Sequence, residues 1–269
     1  MSKLETDLIL EYYCKITKSD YLHYGYWELG DDITLENLHR AQEKYLDRLT
    51  SFIPENVQTI LDVGCGIGGN ALRLKKAGYQ VESLSPDIAQ QKMFKAKGEV
   101  PFHLSKFEEF ETSKKYDLIL MSESAQYIPI QQGLEKCRAL LTEKGNLLIS
   151  DYFIRQPEKH NVFAVCTHLE SEYLKIAEQH GFHVTRSEDI SLNVAPTLDL
   201  AKQKFDDYVK PTIELIDGLL QKHLSIPYKI GQFFAKSQLK NLSEQVQLID
   251  SQLFLKYRKY MIYLFNLNN

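Results

Sequence analysis

The chain has 269 residues, 43% of them hydrophobic and 25% charged, the composition of a soluble globular protein long enough for one sizeable core. Disordered and collagen-like classes are excluded, and the 32 basic against 36 acidic residues, a formal net charge of −4, lack the basic surplus of a protein that grips nucleic-acid backbone. Cys14, Cys65, Cys137 and Cys166 lie far apart with no Cys-x-x-Cys, which disfavours a disulfide framework or a zinc site and favours a reducing cytoplasm.

The first residues, Met1-Ser2-Lys3-Leu4-Glu5, have no basic stretch leading into an apolar run, so no targeting leader is expected. Leu4 to Thr17 reads as a short helix with Leu4, Leu8, Tyr12 and Ile16 on its apolar face. An aromatic loop follows, Tyr21-Leu22-His23-Tyr24-Gly25-Tyr26-Trp27. Asp32 or Thr34 suits the cap of a second helix reaching about Phe52, with Leu38, Tyr45, Leu46 and Leu49 on one face. From Thr59 strands alternate with helices. Strands are predicted at Thr59–Val63, Gln80–Leu84, Val100–Leu104, Tyr116–Met121, Asn146–Tyr152, Phe182–Ile190 and Lys259–Phe265. Helices are predicted at about Gly69–Ala77, after Pro86, at Gly133–Leu141 and at Glu170–His180, with Gly145 as a turn before the fifth strand. That alternation predicts an α/β fold of seven strands, mostly parallel, with helices on both faces. The apolar tail Tyr260–Phe265 is too short to span a bilayer, so no stable membrane insertion is expected. Four segments are expected: an N-terminal helical and aromatic lid (1–57), a binding core (58–195), a helical insertion over the acceptor (196–258) and the last strand (259–269).

The central motif is Ile60-Leu61-Asp62-Val63-Gly64-Cys65-Gly66-Ile67-Gly68-Gly69-Asn70. Glycines let the chain turn sharply after a strand and let a ligand approach main-chain N–H groups. Gly64, Gly66 and Gly69 also match the dinucleotide pattern G-x-G-x-x-G, which alone is weak. Against it, the motif lies some 60 residues in, and the second strand carries Ser83 where an acid would hold a ribose. Asp62, two residues before the first glycine, suits a ligand ammonium group.

Asp62-x-Gly64-x-Gly66-x-Gly68 resembles the signature of the Rossmann-like S-adenosylmethionine (SAM)-dependent methyltransferases. Ser83-Leu84-Ser85-Pro86 resembles the Thr-Leu-Ser-Pro segment of the small-molecule group that includes tocopherol methyltransferases and cyclopropane fatty acid synthases. Lys106-Phe107-Glu108-Glu109-Phe110 resembles that group's Gly-Trp-Glu-x-Phe, and Leu140 to Leu147 its approach to the fifth strand. The family's frequent Gln five residues beyond Ser83 is Ile88 here. The resemblance covers about Thr59–Asp189 and implies SAM as cofactor, S-adenosylhomocysteine (SAH) as product and a cofactor set of His23, Tyr24, Asp62, Gly64, Cys65, Gly66, Gly68, Asn70, Ser83, Leu84, Ser85, Phe107, Glu108 and Met121. In it Phe107 stacks on adenine and Glu108 accepts from the adenine amine; a solvated loop acid is the other reading of Glu108.

A sulfonium is a cation, so electron-rich faces near it are favourable; Tyr12, Tyr13, Tyr24 and Tyr26 are candidates, with core packing as the alternative. The stretch after the fourth strand, Ser122-Glu123-Ser124-Ala125-Gln126-Tyr127, lies beside the transferable methyl in the family. Tyr24, Glu123, Gln126 and Tyr127 are therefore expected to orient the acceptor, with Asp151 and His168 as further bases. His168 also suits a helix cap. The expected activity is methyl transfer to an N, O or nucleophilic C atom of a small, amphipathic or aromatic metabolite, with no metal and no nucleic-acid partner. Cyclopropane-synthase-like lipid modification and a non-catalytic SAM-binding subunit are the alternatives.

Overall fold

In the computed structural model the described residues are 3–98, 100–156, 167–223 and 246–267. Cys166 and the middle of the expected insertion, 224–245, lie outside them. Seven strands, β1 (Thr59–Val63), β2 (Gln80–Ser85), β3 (Phe102–Leu104), β4 (Tyr116–Ser122), β5 (Leu141–Ile154), β6 (Phe182–Asp189) and β7 (Arg258–Leu267), form one sheet in the order β3-β2-β1-β4-β5-β7-β6. β7 runs antiparallel to both neighbours, β5 and β6; the pairs from β3 to β5 are parallel. The helices are α1 (Lys3–Thr17), α2 (Leu35–Thr50), α3 (Gly69–Lys76), α4 (Ile88–Lys95), α5 (Ile130–Leu140), α6 (Glu170–Gln179), α7 (Ser191–Lys204), α8 (Lys210–His223) and α9 (Ser251–Tyr257).

Side chains alternate across a strand, and β4 shows what that requires when both faces are covered. Leu118 and Leu120 enter one core with α2, α3, α4, α7 and α9, through Tyr45, Leu74, Phe94, Val194 and Phe254. Ile119 and Met121 enter the other with α5 and α6, through Leu134, Leu140, Tyr173 and Ala177. An unbroken apolar run is therefore the right sequence for this strand. Each of these fully buried aliphatics stabilises the fold by about 1.5–3 kcal/mol. The strand order reverses between β1 and β4, and that switch point opens a crevice at the carboxyl ends of the strands.

Several local expectations change. Thr34, rather than Asp32, caps α2, its Oγ1 accepting from Asn37 N at 3.2 Å. Asp87 caps α4 by accepting from Ala89 and Gln90, which leaves Pro86 outside the helix. Gly145 lies within β5, where the pairing jumps from Tyr116↔Leu141 to Leu118↔Asn146; the strand bulges instead of starting there. α1 turns Leu8, Tyr12 and Ile16 to solvent and buries Leu10, because its other face meets α2. α7 starts at Ser191 and carries Pro196 inside it. Its first turn is tied to β7, with Ile190 N donating to Tyr260 O and Tyr260 N to Ser191 Oγ.

Candidate active site

β1 ends in a loop that only glycine can follow. Gly64 and Gly66 have φ of +75° and +54°, the left-handed region that other residues enter at a cost. A Cβ on Gly64 would lie 2.2 Å from that of Ser124, and one on Gly66 would meet Leu22 at 3.1 Å. The loop is pinned to β2 by Gly64 N and Cys65 N, both donating to Leu84 O, and to the segment after β4 by Ser124 Oγ donating to Val63 O at 2.5 Å.

A cavity of about 630 Å³ opens over this loop. Of the expected cofactor set, His23, Gly64, Cys65, Gly66, Asn70, Leu84, Ser85, Phe107 and Glu108 line it. Asp20, Asp87, Glu108 and Glu123 face it against one ammonium, Lys106. Such a wall suits a cationic ligand and opposes a pyrophosphate.

Five expected cofactor residues lie elsewhere. Gly68 is turned to the Phe94 ring, Met121 is packed in the layer under α5 and α6, and Tyr24 lines a second cavity. Asp62 lies beneath the loop, 1% exposed, with Oδ2 lacking a partner among the described residues. Burial pushes its carboxyl up to about 7. It is placed to act on the cavity as a charge behind the backbone, without the direct contact expected. Ser83, its register partner on β2, is fully buried and likewise unpartnered.

The cavity wall expected at Ser83 is made two residues later. β2 continues through Ser85, whose Oγ donates to Gln90 Oε1 at 2.7 Å, and both residues line the cavity. Gln90 stands five residues beyond Ser85, the spacing that gave Ile88 when counted from Ser83. Asp87 and Gln90 were missed for the same reason. Period-two spacing puts Ser83 and Ser85 on one face, and only the end of the strand chooses between them.

The aromatic loop closes the cavity from above. His23 is stacked on Tyr45 with ring centroids 4.2 Å apart, and burial pushes its imidazole down to about 4. It is therefore neutral near pH 7. Nδ1 lies 2.8 Å from Tyr24 O, so Nδ1 carries the proton and Nε2 is an acceptor. Nε2 lies 3.1 Å from Asn70 Oδ1, so a neutral imidazole protonated on Nδ1 requires the Asn70 amide turned over, its N–H toward the ring. Gln42 fastens the loop with its amide donating to His23 O at 2.6 Å. Tyr12 is exposed and Tyr26 packs on the core, so neither serves the site.

A second cavity of about 390 Å³ adjoins the first, sharing Leu22, His23 and Tyr127 as wall residues. Tyr13, Tyr24, Gln126 and Tyr152 line it, with Thr197 and Leu198 of α7 and Arg258 of β7. Burial pushes the Tyr13 phenol up to about 12. The guanidinium of Arg258 lies over the Tyr152 ring, 4.5 Å from its centre. The α7 residues and Arg258 lie within the insertion expected over the acceptor (196–258), but no local signal singled them out.

Glu123 lines the larger cavity and is tied to Tyr24, a wall residue of the smaller one. Its φ of +56° costs a non-glycine residue about 1–3 kcal/mol, and its N–H donates to Ser150 O at 2.8 Å. Oε1 accepts from Tyr24 N and from Tyr260 Oη, both at 2.8 Å. The Tyr260 oxygen lies 2.9 Å from the Tyr45 hydroxyl, which reaches Ser150 Oγ at 2.7 Å and Ser122 Oγ at 2.9 Å. Burial pushes Glu123 up to about 7 and Asp151 up to about 8. Asp151 is spent on backbone, accepting from Gln126 N at 3.1 Å and Tyr152 N at 2.8 Å. His168 lies outside both cavities; its Nε2 is within 3.0 Å of Ala125 O and Ile128 O, where it fastens the turn that carries Gln126 and Tyr127. A base there would have no acceptor to reach.

The sequence profile of the methyltransferase-domain family matches residues 37–248. The "Probable tocopherol O-methyltransferase, chloroplastic" of Oryza sativa subsp. japonica is 25% identical over 210 residues, covering 66% of this chain and 58% of that protein. The malonyl-[acyl-carrier protein] O-methyltransferase of Anoxybacillus flavithermus is 32% identical over 138 residues, covering 49% of this chain and 53% of that protein. The match thus spans little more than half the length of each. In fold, the crystal structure of the [4+2]-cyclase SpnF superposes with a TM-score of 0.73 at 14% identity, covering 98% of this chain and 94% of that one. The geranyl diphosphate C-methyltransferase of Streptomyces coelicolor A3(2), in complex with SAH, superposes with a TM-score of 0.65 at 14% identity, covering 91% and 87%. With a family match over most of its length and the Rossmann-like sheet in place, the chain belongs to the methyltransferase-domain family.

Proposed function

We propose that this chain transfers a methyl group from SAM to an N, O or nucleophilic C atom of a small-molecule metabolite. The observation that carries the reading is the pair of abutting cavities with Glu123 at their boundary. The larger has a glycine floor and an acidic wall, fitted to a ligand with an ammonium and a sulfonium; the buried Asp62 carboxyl adds to that field. SAM supplies the activated methyl group when bound. This chain's residues do the rest: Ser85 and Gln90 face the ribose side, Phe107 and Glu108 the adenine side, and Asn70 the amino-acid end. Aligning two reactants in line is itself worth several kcal/mol of barrier, on the order of 7–11 in favourable cases.

The smaller cavity suits a compact acceptor with aromatic or amphipathic character, held by Tyr24, Gln126 and Tyr127. The described parts of 1–57 and of the insertion 196–258 serve as the cover, with α2, α7 and α9 also packing against one face of the sheet, and 58–195 with 259–269 form the binding core. Among the described residues no helix is long and apolar enough to cross a membrane, and Cys14, Cys65 and Cys137 are free thiols, which supports a cytoplasmic setting. Calorimetry with SAH tests the reading: the native chain should bind it, and Gly66→Val, strained at φ +54° and driven into Leu22, should not. Equal binding by both would remove the cofactor from this cavity.

A further inference from the structure

The proposed cofactor is a cation at sulfur before methyl transfer and neutral there afterwards. The inference below rests on the placement of SAM in the larger cavity. A methyl group leaving that cavity for the smaller one must cross the boundary where they meet, so the sulfur has to face it. Glu123 is the carboxyl at that boundary: it lines the larger cavity, and its Oε1 holds the N–H of Tyr24, a wall residue of the smaller one. Oε1 takes both of the carboxyl's hydrogen bonds among the described residues, from Tyr24 and Tyr260. Oε2 is therefore the oxygen available to a ligand.

The groups facing Glu123 come from four helices and strands and one loop. They are Tyr13 of α1 and Tyr24 of the aromatic loop, Tyr45 of α2, Asp151 and Tyr152 of β5, and Tyr260 of β7. All are phenols or a carboxyl; the guanidinium of Arg258 on β7 lies behind them, over the Tyr152 ring in the smaller cavity. Burial, working against the hydrogen bonds from Tyr24 and Tyr260, holds the carboxyl at about 7, so near neutral pH a nearby charge decides its state.

We propose that Glu123 exchanges its proton against the sulfonium charge: the carboxyl releases a proton when SAM enters, and the carboxylate takes one from an O–H or N–H acceptor as the methyl group is transferred. The acceptor's lone pair forms the new bond to carbon while the sulfur–carbon bond breaks with its electron pair remaining on sulfur. The acceptor's proton passes to Oε2. A sulfonium and a carboxylate become a thioether and a carboxylic acid, and the net charge of the site is unchanged. Tyr260 is a positioning residue in this scheme, since its hydroxyl stabilises the ionised form.

Proton release can be read without knowing the acceptor. The full chain is titrated with SAM and with SAH at pH 6.5, below the α-amino range of about 7.7–8.0, in two buffers of different ionisation enthalpy. Ionisation of Asp62 beneath the loop would accompany both ligands, because both carry the ammonium group; the difference between them isolates the sulfonium. SAM should release more protons than SAH, by roughly half a proton or more for a group titrating near 7. Glu123→Gln should abolish that difference while still binding SAH. Tyr260→Phe should keep the difference and move its maximum to higher pH, a shift that a purely structural role would not produce. Equal release with both ligands bound to the native chain, or a difference surviving in Glu123→Gln, would overturn the proposal and leave the cofactor site standing. Absence of binding by either ligand would instead overturn the placement of SAM.

Discussion

Neighbouring residues of the same type meet the larger cavity differently, which makes them sharp probes of the site. Glu108 lines it, whereas Glu109 is exposed and pairs loosely with Lys106 at 3.6 Å. Glu108→Ala should weaken SAH binding by about 1–3 kcal/mol, the range for a charge-assisted hydrogen bond. Glu109→Ala should change it by less than about 0.5 kcal/mol, as exposed ion pairs do. Equal losses in calorimetry would put the wrong residue on adenine. Ser85 and Ser83 form a second pair. Ser85→Ala removes the hydroxyl that anchors Gln90 and should weaken binding by about 1 kcal/mol. Ser83→Ala deletes a buried hydroxyl beside the Cys65 thiol that does not line the cavity, so binding should hold. The glycine loop and Glu108 were legible in the sequence because their motifs are short and local. Ser83 and Ser85 were both expected there, and which of them reaches the cavity was not legible, because Ser-Leu-Ser repeats at the strand period and the end of β2 is set by pairing with Leu104 of β3.

At the scale of elements, the aromatic loop was visible as a cover but its fastening was not, since the partner lies 172 residues away. Thr197 Oγ1 on α7 accepts from Gly25 N at 3.0 Å and from Trp27 Nε1 at 2.9 Å. Trp27 N donates to Asn193 O, and Asn193 Nδ2 returns a bond to Trp27 O at 3.0 Å. Loop and helix thus form one unit, with Trp27 packed among Leu38, Ala41 and Leu200. Removing the N-terminal residues would therefore cost core packing as well as cover. A milder change isolates the latch. Thr197→Val keeps the shape and leaves two N–H groups without their acceptor, at about 1–3 kcal/mol for each buried group left unpaired. Urea unfolding should show a loss of about 2 kcal/mol, and Thr197→Ser should restore most of it. A loss shared equally by Val and Ser would trace the effect to the methyl contact instead.

For the molecule as a whole, the strand count and alternation were readable because apolar runs and turns repeat along the chain. The ionisation of the interior was not, because burial depends on what the sheet brings together. Asp62, Glu123 and Asp151 sit at the ends of β1, β4 and β5, and burial pushes them to about 7, 7 and 8. In the unfolded chain such carboxyls ionise near 4. Between those limits the native state binds more protons than the unfolded state, so stability falls as pH rises. His23 opposes this: held down at about 4 when folded, it adds stability as pH rises from about 4 to its unfolded value near 6.5. Above that value nothing in this set offsets the three acids. The ligand-free protein should therefore be most stable well on the acid side of neutrality, and its Tm should fall most steeply between about pH 5 and 7, levelling off near pH 8 as the carboxyls ionise in the fold. Asp62→Asn removes one of the three contributions and should flatten the decline. Saturating SAM should flatten it further, by favouring ionised Asp62 and Glu123. Thermal unfolding in a pH series checks all three curves; a ligand-free Tm that is level or rising from about pH 5 to 7 would mean that these carboxyls ionise in the fold as freely as in the open chain.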